Sequence, residues 1–322
     1  MWGMARKAQS LAGSDRKSLE SIGVLFKGQD LKSLRDTKQI CQKLLRSFPK
    51  LEILIENSPK PVNRWSHSRL KWMSAERIPF RTRTLVVVGG DGSILRACRL
   101  LMKTETWETC RVLGVHSGTV GFLAAMNVKE ALKNLSSLLS RKNGLVEELR
   151  SCLHIKIERN SRIFRNFHVL NDCVLSKGSL SRIFEFQVEV NSEFLSSYRA
   201  DGLIVSPPTG STAYNLAAGG AIVHHDIPAV QITPICPQSL SNKPIILSDR
   251  HEISLRLGRH SSDVYLTMDG QKGLRMGDRD VVHITKSEKS IRFLNLGSRE
   301  LKHYFESLRH KLNWGLLPRG RP

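Results

Sequence analysis

The GGDGS segment at residues 89–93 combines residue types that can handle phosphate. Its glycines allow the backbone to approach a phosphate closely, and the N-terminus of a following helix offers free N–H groups to an anion. A carboxylate beside polyphosphate repels it unless a metal ion intervenes or the carboxylate takes a proton. Asp91 therefore fits a general base that activates a hydroxyl, or a magnesium contact. The alternative is that Asp91 only caps the helix, and the strand–GGDGS–helix context favours a functional role.

A second glycine turn, GTVGF at residues 118–122, also follows a predicted strand. It lies beside the first turn if the two strands are neighbours, and its glycines can then form another wall for a phosphate or a ribose. A plain tight turn also explains this motif when it is taken alone. Together the two turns predict these phosphate-binding residues: Gly89, Gly90, Gly92, Ser93, Gly118 and Gly121.

The longest unusual stretch is DGLIVSPPTGSTAY at residues 201–214. Asp201 stands just before a predicted strand and can reach a hydroxyl or an amide. Tyr214 projects from the first turn of a short helix, where it can stack on a base. The alternative is a capped helix with a core tyrosine. So many small and hydroxyl-bearing residues together favour a nucleotide pocket.

The first 145 residues or so alternate between predicted strands and helices, which is typical of a doubly wound α/β domain. The strand at Thr84–Val88 is apolar, as in a parallel sheet covered on both faces. Ligands of such folds bind beyond the carboxyl ends of the strands, where both glycine turns fall. The predicted strands are 22–26, 51–55, 84–88 and 112–115. The predicted helices are one that Asp30 caps and that reaches about Ser47, and those at 94–102 and 128–140. The apolar face of the first helix is predicted to contain Leu31, Leu34, Ile40, Leu44 and Leu45.

After Gly144, short predicted strands follow one another at the spacing of all-β domains. One helix, Thr212–Ala218, interrupts them. The predicted strands are 153–158, 164–170, 183–190, 193–198, 203–206, 230–233, 252–257, 264–268, 281–285 and 291–294. The predicted fold class is α/β plus all-β, with a final helix, Glu300–Leu312, that returns to the first domain. Its parts are a basic tail at 1–20, a doubly wound α/β domain at 21–144 plus 298–322, and a β-rich, β-sandwich-like domain at 145–297.

Composition narrows the class of protein. The chain has 322 residues, with 50 Lys and Arg against 29 Asp and Glu and a formal net charge of +21. No run approaches the roughly 20 apolar residues of a membrane helix, and the basic start at 1–12 has no apolar core of a secretory signal. The six cysteines form no CxxC pair, which indicates buried thiols in a reducing compartment. We therefore predict a cytoplasmic protein with no membrane partner.

The positive charge is densest at residues 57–83, which hold seven basic residues, one acid, Trp65 and Trp72. The favoured interpretation is a mobile, solvated loop. A lid that adds positive potential over a site for anionic ligands is equally physical. A basic run with aromatic residues can also bind nucleic acid.

Six motifs occur in the order and rough spacing found in NAD kinases. They are GGDGS at 89–93, GTVGF at 118–122, Asn171-Asp172, DGLIVSPPTGSTAY at 201–214, TPICPQSLSNKPI at 233–245 and Asp269-Gly-Gln271. GGDGS also occurs in lipid kinases and phosphofructokinases, whereas the blocks at 201–214 and 233–245 are specific. The chain therefore resembles the bacterial type of the NAD kinase family from about Ile22 to the last helix.

This resemblance implies the roles of particular residues. Asp91 matches the proton acceptor that activates the 2′-hydroxyl of the adenosine ribose of NAD. Asn171 and Asp172 match an Asn–acid pair that holds the adenosine, with Asp where Glu is commoner. The implied NAD-binding residues are Asp91, Gly92, Arg96, Phe122, Asn171, Asp172, Arg182, Arg199, Asp201, Thr212, Ala213, Tyr214, Asn215, Leu216, Ala217 and Gln271.

The resemblance also implies an NAD kinase that uses ATP and a divalent metal ion, magnesium or manganese, and assembles as a homodimer or homotetramer. No protein ligand is assigned to the metal. Two alternatives stay open: a lipid kinase of the GGDG type, and a nucleic-acid-binding protein on an inactive kinase fold. The blocks at 201–214 and 233–245 argue against the first. Asp91 and the Asn–acid pair argue against the second, so nucleic acid is an unlikely partner.

Overall fold

The structure, a computed structural model, divides into two compact units. Unit 1 is Met1–Leu149 with Ile291–Pro322, and unit 2 is Arg150–Ser290. The described residues are 20–28, 30–57, 65–118, 121–140, 145–178, 183–258, 263–271, 273–296 and 300–312.

The elements alternate at first and are then almost all strands. They begin with β1 (Ser21–Phe26), α1 (Leu31–Ser47), β2 (Glu52–Glu56), β3 (Leu70–Met73), β4 (Thr84–Gly89), α2 (Asp91–Lys103), β5 (Arg111–His116), β6 (Met126–Asn127) and α3 (Val128–Ser140). They continue with β7 (Val146–Arg159), β8 (Arg162–Val169), β9 (Cys173–Lys177), β10 (Phe184–Val190), β11 (Glu193–Ala200), β12 (Gly202–Ser206), α4 (Tyr214–Ala217), β13 (Ala229–Ile235), β14 (Ile245–Ser248), β15 (Ile253–Leu257), β16 (Val264–Met268), β17 (Leu274–Arg275), β18 (Val281–Asn295) and α5 (Glu300–Leu312).

The sheet of unit 1 has the order β5-β4-β1-β2-β3, and its neighbouring strands are parallel. The last residues of β18 add a parallel pair beside β5. The chain runs from β1 outward to β3 and then resumes at β4 on the other side of β1. The strand order therefore reverses between β1 and β4, which is where doubly wound sheets bind ligands.

Both faces of this sheet are covered, which confirms the doubly wound prediction. Side chains of α1 and α3, including Ile40 and Leu135, share one buried cluster with Val86 and Val88. The intervening Val87 is also completely buried, and successive side chains of a strand point to opposite faces. Helix α1 begins after Asp30, whose carboxylate accepts the Lys32 N–H at 2.9 Å.

Unit 2 is a β-sandwich, as predicted. One layer is a six-stranded antiparallel sheet in the order β14-β13-β12-β9-β16-β17, and the other contains β7, β8, β10, β11, β15 and the first part of β18. Buried side chains from both layers, such as Phe186, Leu203, Leu255 and Leu266, form one cluster.

Several local predictions were wrong. The helix expected at 212–218 is a 3-10 turn, Pro208–Thr212, followed by the single turn of α4. The two strands expected at 281–285 and 291–294 are one continuous strand, β18. Leu31 lies 79% exposed at the start of α1 instead of on its buried face.

The basic segment is not simply a solvated loop. Residues 70–73 form β3, which pairs in parallel with β2. Trp65 and Trp72 meet edge to face at 5.1 Å and pack against the core of unit 1. Lys71 pairs with Glu52 at 2.5 Å. Residues 58–64, including Arg64, lie outside the described residues.

The structure also describes two features that the composition singled out. Among the described residues, no helix is both long and apolar enough to cross a membrane. Five of the six cysteines are buried thiols, whereas Cys236 is exposed.

Arg69 gives a test of the basic segment. Its guanidinium donates to the carbonyls of Leu45 at 2.7 Å, Phe48 at 2.6 Å and Leu51 at 3.2 Å, at and just beyond the end of α1. Hydrogen bonds to charged groups contribute about 1.5–3 kcal/mol. We expect Arg69→Ala to lower the free energy of unfolding by about 2 kcal/mol in a urea titration.

Lys71→Ala is the matched control, because its exposed ion pair is worth about 0–1 kcal/mol. Equal losses in both variants would contradict a capping role for Arg69.

Candidate functional site

Asp91 is the first residue of α2, and only Gly90 separates it from the end of β4. Its Oδ2 accepts the backbone N–H of Phe122 at 3.0 Å, and its Oδ1 accepts that of Leu123 at 3.2 Å. The Lys311 ammonium, on α5, donates to Oδ2 at 2.7 Å. The helix-cap alternative is therefore incomplete, because this carboxylate joins three separate parts of unit 1.

The two glycine turns lie side by side, because β4 and β5 are parallel neighbours. A Cβ atom on Gly121 would stand 1.9 Å from Asp91 Oδ1. Only glycine allows the second turn to approach the carboxylate this closely. His116 fixes the start of this turn through a 3.0 Å contact between Nδ1 and the carbonyl oxygen of Gly118.

At three other positions of the predicted phosphate site, packing does not require a glycine. Among the described residues, no atom lies within 4 Å of a Cβ atom placed on Gly90, Gly92 or Gly118. Gly89 differs, because its Cβ would lie 2.4 Å from the Ser93 hydroxyl oxygen. Open space above the three glycines is what a close backbone approach to a phosphate needs.

Arg96 lies further along α2, and its guanidinium is held by Glu56. The pair is bidentate, at 2.7 and 2.5 Å, and Arg96 also donates to the Phe26 carbonyl at 3.1 Å. The hydrogen bonds that Arg96 donates to the Glu56 carboxylate raise the pKa of Arg96. Glu56 was missed by the sequence analysis because only the tertiary structure brings the end of β2 to α2. Arg96 remains a predicted ligand contact.

In unit 2, the Asn171-Asp172 pair lies in the turn between β8 and β9. The Asp269 carboxylate accepts the backbone N–H groups of Leu170 at 3.1 Å, Asn171 at 2.7 Å and Asp172 at 3.2 Å. Asp269 itself has a positive φ of 46°. This residue, which the sequence analysis named only within a motif, organises the backbone of the Asn–acid pair.

Asp172 is buried, with 5% of the residue exposed. Burial, together with the nearby negative charge of Asp269, raises its pKa from 3.8 to about 7. A carboxyl group of this kind exchanges its proton near neutral pH. It can therefore meet a hydroxyl as a donor or as an acceptor.

The 3-10 turn Pro208–Thr212 packs against the same pair. The Ser206 hydroxyl donates to the Asn171 carbonyl at 2.8 Å, and a Cβ on Gly210 would stand 1.7 Å from that oxygen. Tyr214 is 48% exposed, so it is not a core tyrosine. Asn215, in contrast, is completely buried between Thr233 and Gln231, at 2.6 and 3.2 Å. Its side chain holds α4 against the sheet.

The other predicted residues of unit 2 are dispersed over several elements. Arg199 is exposed on β11, Asp201 is half-buried before β12, and Gln271 is exposed in the turn after Asp269. Thr212, Ala213 and Leu216 are half-buried around the start of α4, and Ala217 is exposed. Arg182 lies outside the described residues.

A further group of metal-ligand types is His224, His225 and Asp226, whose ligand atoms lie within 4.8 Å of one another. The His225 ring is buried, which lowers its pKa to about 2. Imidazole nitrogens suit zinc and similar ions rather than magnesium, which prefers oxygen ligands.

A carboxylate held between two glycine turns, at the carboxyl ends of adjacent parallel strands in a doubly wound sheet, is the arrangement expected of a nucleotide-dependent phosphotransferase. Comparison with known proteins gives the particular family. Residues 35–143 match the ATP-NAD kinase N-terminal domain, and residues 170–296 match the ATP-NAD kinase C-terminal domain. The chain belongs to the NAD kinase family, whose members phosphorylate NAD at the expense of ATP.

Individual relatives agree with this assignment. The NAD kinase of Geobacter metallireducens is 41% identical over 243 residues, which cover 76% of this chain and 83% of that protein. The NAD kinase of Magnetococcus marinus is 36% identical over 296 residues, covering 92% and 94%. Yeast NADH kinase, solved in complex with NADH, superposes with a TM-score of 0.83 at 25% identity, covering 95% of this chain and 91% of that one. An Archaeoglobus fulgidus NAD kinase in complex with ATP has a TM-score of 0.68 at 21% identity, covering 90% and 99%, and shares the fold.

Asp172 predicts a pH dependence of stability. Its folded pKa of about 7 lies above 3.8, so its contribution to stability is complete below pH 3.8 and is lost as the pH rises through 7. One pH unit corresponds to about 1.4 kcal/mol. From pH 5 to pH 8 we expect the parent to lose stability on the order of 2 kcal/mol through this group, and Asp172→Asn to avoid that loss.

Urea titrations at the two pH values measure the difference. The exposed Asp278→Asn is the control and should follow the parent. An Asp172→Asn profile that runs parallel to the parent profile would contradict the raised pKa.

Proposed function

We propose that this NAD kinase transfers the terminal phosphoryl group of ATP to the 2′-hydroxyl of the adenosine ribose, with Asp91 as the general base. The observation that carries this proposal is the Asp91 carboxylate, which is fixed by two N–H groups between the glycine turns that follow the parallel strands β4 and β5. A base held in this way is preoriented, and orientation is most of what phosphoryl transfer requires of a protein.

In the proposed reaction, the hydroxyl oxygen attacks the terminal phosphorus of ATP, and the bond from that phosphorus to the bridging oxygen breaks. ADP leaves, and the hydroxyl proton passes to Asp91. The open backbone above Gly90, Gly92 and Gly118 is proposed to hold the triphosphate.

A divalent metal ion fits this site as a companion of the nucleotide. Asp91 is a single carboxylate whose oxygens already accept three hydrogen bonds, and the described part of the chain shows no oxygen cage around it. Magnesium is commonly held mainly by substrate phosphates and waters. When bound, it neutralises charge on the phosphate oxygens.

Recognition of the adenosine is proposed to fall to unit 2. The Asn171-Asp172 turn is fixed by Asp269, and the partly exposed ring of Tyr214 is available for stacking on a base. The remaining predicted NAD contacts, including Arg182, Arg199 and Gln271, stay proposals.

A homodimer or homotetramer and a cytoplasmic location are part of the same proposal. They are supported by the family resemblance. The lipid-kinase and nucleic-acid alternatives gain no support from the comparisons.

Asp91→Asn tests the general base. The amide keeps the size of the side chain but cannot take the proton, and loss of a general base costs ~10²–10⁴-fold in rate. We expect kcat for NADP formation to fall by that factor. Binding of NAD, measured by calorimetry, should be retained.

The control is Asp278→Asn, which neutralises an exposed carboxylate of unit 2 and should leave kcat unchanged. Turnover close to that of the parent in Asp91→Asn would contradict the role of Asp91 as general base.

Asn171→Ala and Tyr214→Ala test recognition of NAD. Stacking on a base is worth about 1–3 kcal/mol in single-stranded nucleic-acid sites, which corresponds to roughly five- to 150-fold. We expect Tyr214→Ala to raise the KM for NAD within that range and Asn171→Ala to raise it as well. In both variants kcat should change little, because these groups bind substrate and transition state alike.

Phe194→Ala removes another exposed ring and should have no such effect. A rise in the KM for ATP instead of NAD would show that the two nucleotides are assigned the wrong way round.

A further inference from the structure

Lys311 is the side chain on α5 that reaches the proposed general base. Its Nζ lies 2.7 Å from Asp91 Oδ2 and 4.5 Å from the centre of the Phe122 ring. The two partners are 220 residues apart in sequence, and the side chains of Lys311 and Asp91 are 31% and 27% exposed. The sequence motifs did not mark this residue.

The hydrogen bonds of Asp91 show which contact can be exchanged. A carboxylate has about four acceptor sites. Backbone N–H groups of Phe122 and Leu123 fill two of them, and both belong to the second turn. The Lys311 ammonium is carried on a stem of four carbons, so it can leave without any change in the backbone. Its departure frees a site on Oδ2 for a proton.

The negative charge of a bound triphosphate provides an alternative partner for the Lys311 ammonium. A triphosphate beside the glycine turns carries several negative charges, and an ionised carboxylate next to it is repelled. An ammonium between the two offsets this repulsion and is drawn to the phosphate oxygens, where more negative charge is concentrated. Phosphoryl transfer is accelerated mainly by such positioned cations.

We propose that Lys311 is a residue of the phosphoryl-transfer site, which pairs with Asp91 in the free enzyme and with the terminal phosphate of the donor once ATP is bound. The exchange couples donor binding to the release of Asp91, whose freed oxygen then accepts the hydroxyl proton. This inference rests on the proposed function of Asp91.

Binding of the non-hydrolysable β,γ-imido-ATP with magnesium, followed by calorimetry, tests the phosphate contact without turnover. We expect Lys311→Met to raise the Kd about tenfold and Lys311→Arg, which keeps the charge, to raise it less than threefold. Lys302→Met is the matched control on the same helix, because Lys302 is exposed and its nearest ion-pair partner, Glu306, is 4.0 Å away. The control should bind like the parent.

Turnover supplies the second measurement. Removal of one positioned donor of this kind costs about 10²–10³-fold in kcat. For Lys311→Met we expect kcat to fall by a factor near the lower end of that range, with an unchanged KM for NAD. Lys311→Arg should keep at least one tenth of the parent kcat. If the methionine variant does not fold, the same two measurements are made on Lys311→Gln, which removes the charge and keeps a polar side chain, and the same losses are expected.

A double variant shows whether Lys311 contacts the phosphate or only positions Asp91. If Lys311 acts only through Asp91, adding Lys311→Met to Asp91→Asn changes nothing further. If it contacts the phosphate, the added substitution lowers the residual rate at least fivefold, measured with excess enzyme and an end-point determination of NADP.

Three outcomes overturn the inference: an unchanged Kd for β,γ-imido-ATP in Lys311→Met, a loss of rate that disappears in the Asp91→Asn background, or effects equal to those of Lys302→Met. Failure of the proposed function looks different. The parent would then form no NADP, while the dependence of β,γ-imido-ATP binding on Lys311 would still be measurable and would support the phosphate contact alone.

Discussion

One carboxylate fastens together the end of β4, the turn after β5 and the last helix of unit 1. Asp91 begins α2 and accepts two N–H groups from the second turn, and this is possible because Gly121 has no Cβ to stand in the way. The parallel pairing of β4 and β5 puts both turns at the same edge of the sheet. The shape of the proposed phosphate site and the presence of Lys311 beside it both depend on this arrangement.

Unit 2 also has a carboxylate that accepts backbone N–H groups, here at the Asn171-Asp172 turn. Asp269 accepts three successive N–H groups and fixes the Asn171-Asp172 turn. Its negative charge adds to burial in raising the pKa of Asp172 to about 7. Both candidate subsites are thus built around a carboxylate that accepts backbone N–H groups, and such charge-assisted hydrogen bonds are about twice as strong as neutral ones.

The excess of positive charge has several structural uses. Arg69 holds the carbonyls at and just beyond the C-terminus of α1, Arg96 ties α2 to Glu56, and Lys71 pairs across β2 and β3. A net charge of +21 also favours the approach of anionic nucleotides. Local charge density alone could not distinguish these uses, because a basic residue on a strand and one on a loop look alike in sequence.

The sequence by itself determined the succession of elements and the motifs, because hydrophobic periodicity and glycine turns are local signals. It predicted the doubly wound half, the sandwich, the helix at 300–312 and the turn that contains Asp91. The tertiary structure alone decided that α4 is one turn long, that β3 lies within the basic segment, and that Asn215 is buried. It also decided which charges meet: Glu56 with Arg96, Asp269 with the Asn171 turn, and Lys311 with Asp91. Such pairs join residues 40 to 220 positions apart, and only the packing of whole elements brings them within hydrogen-bonding distance.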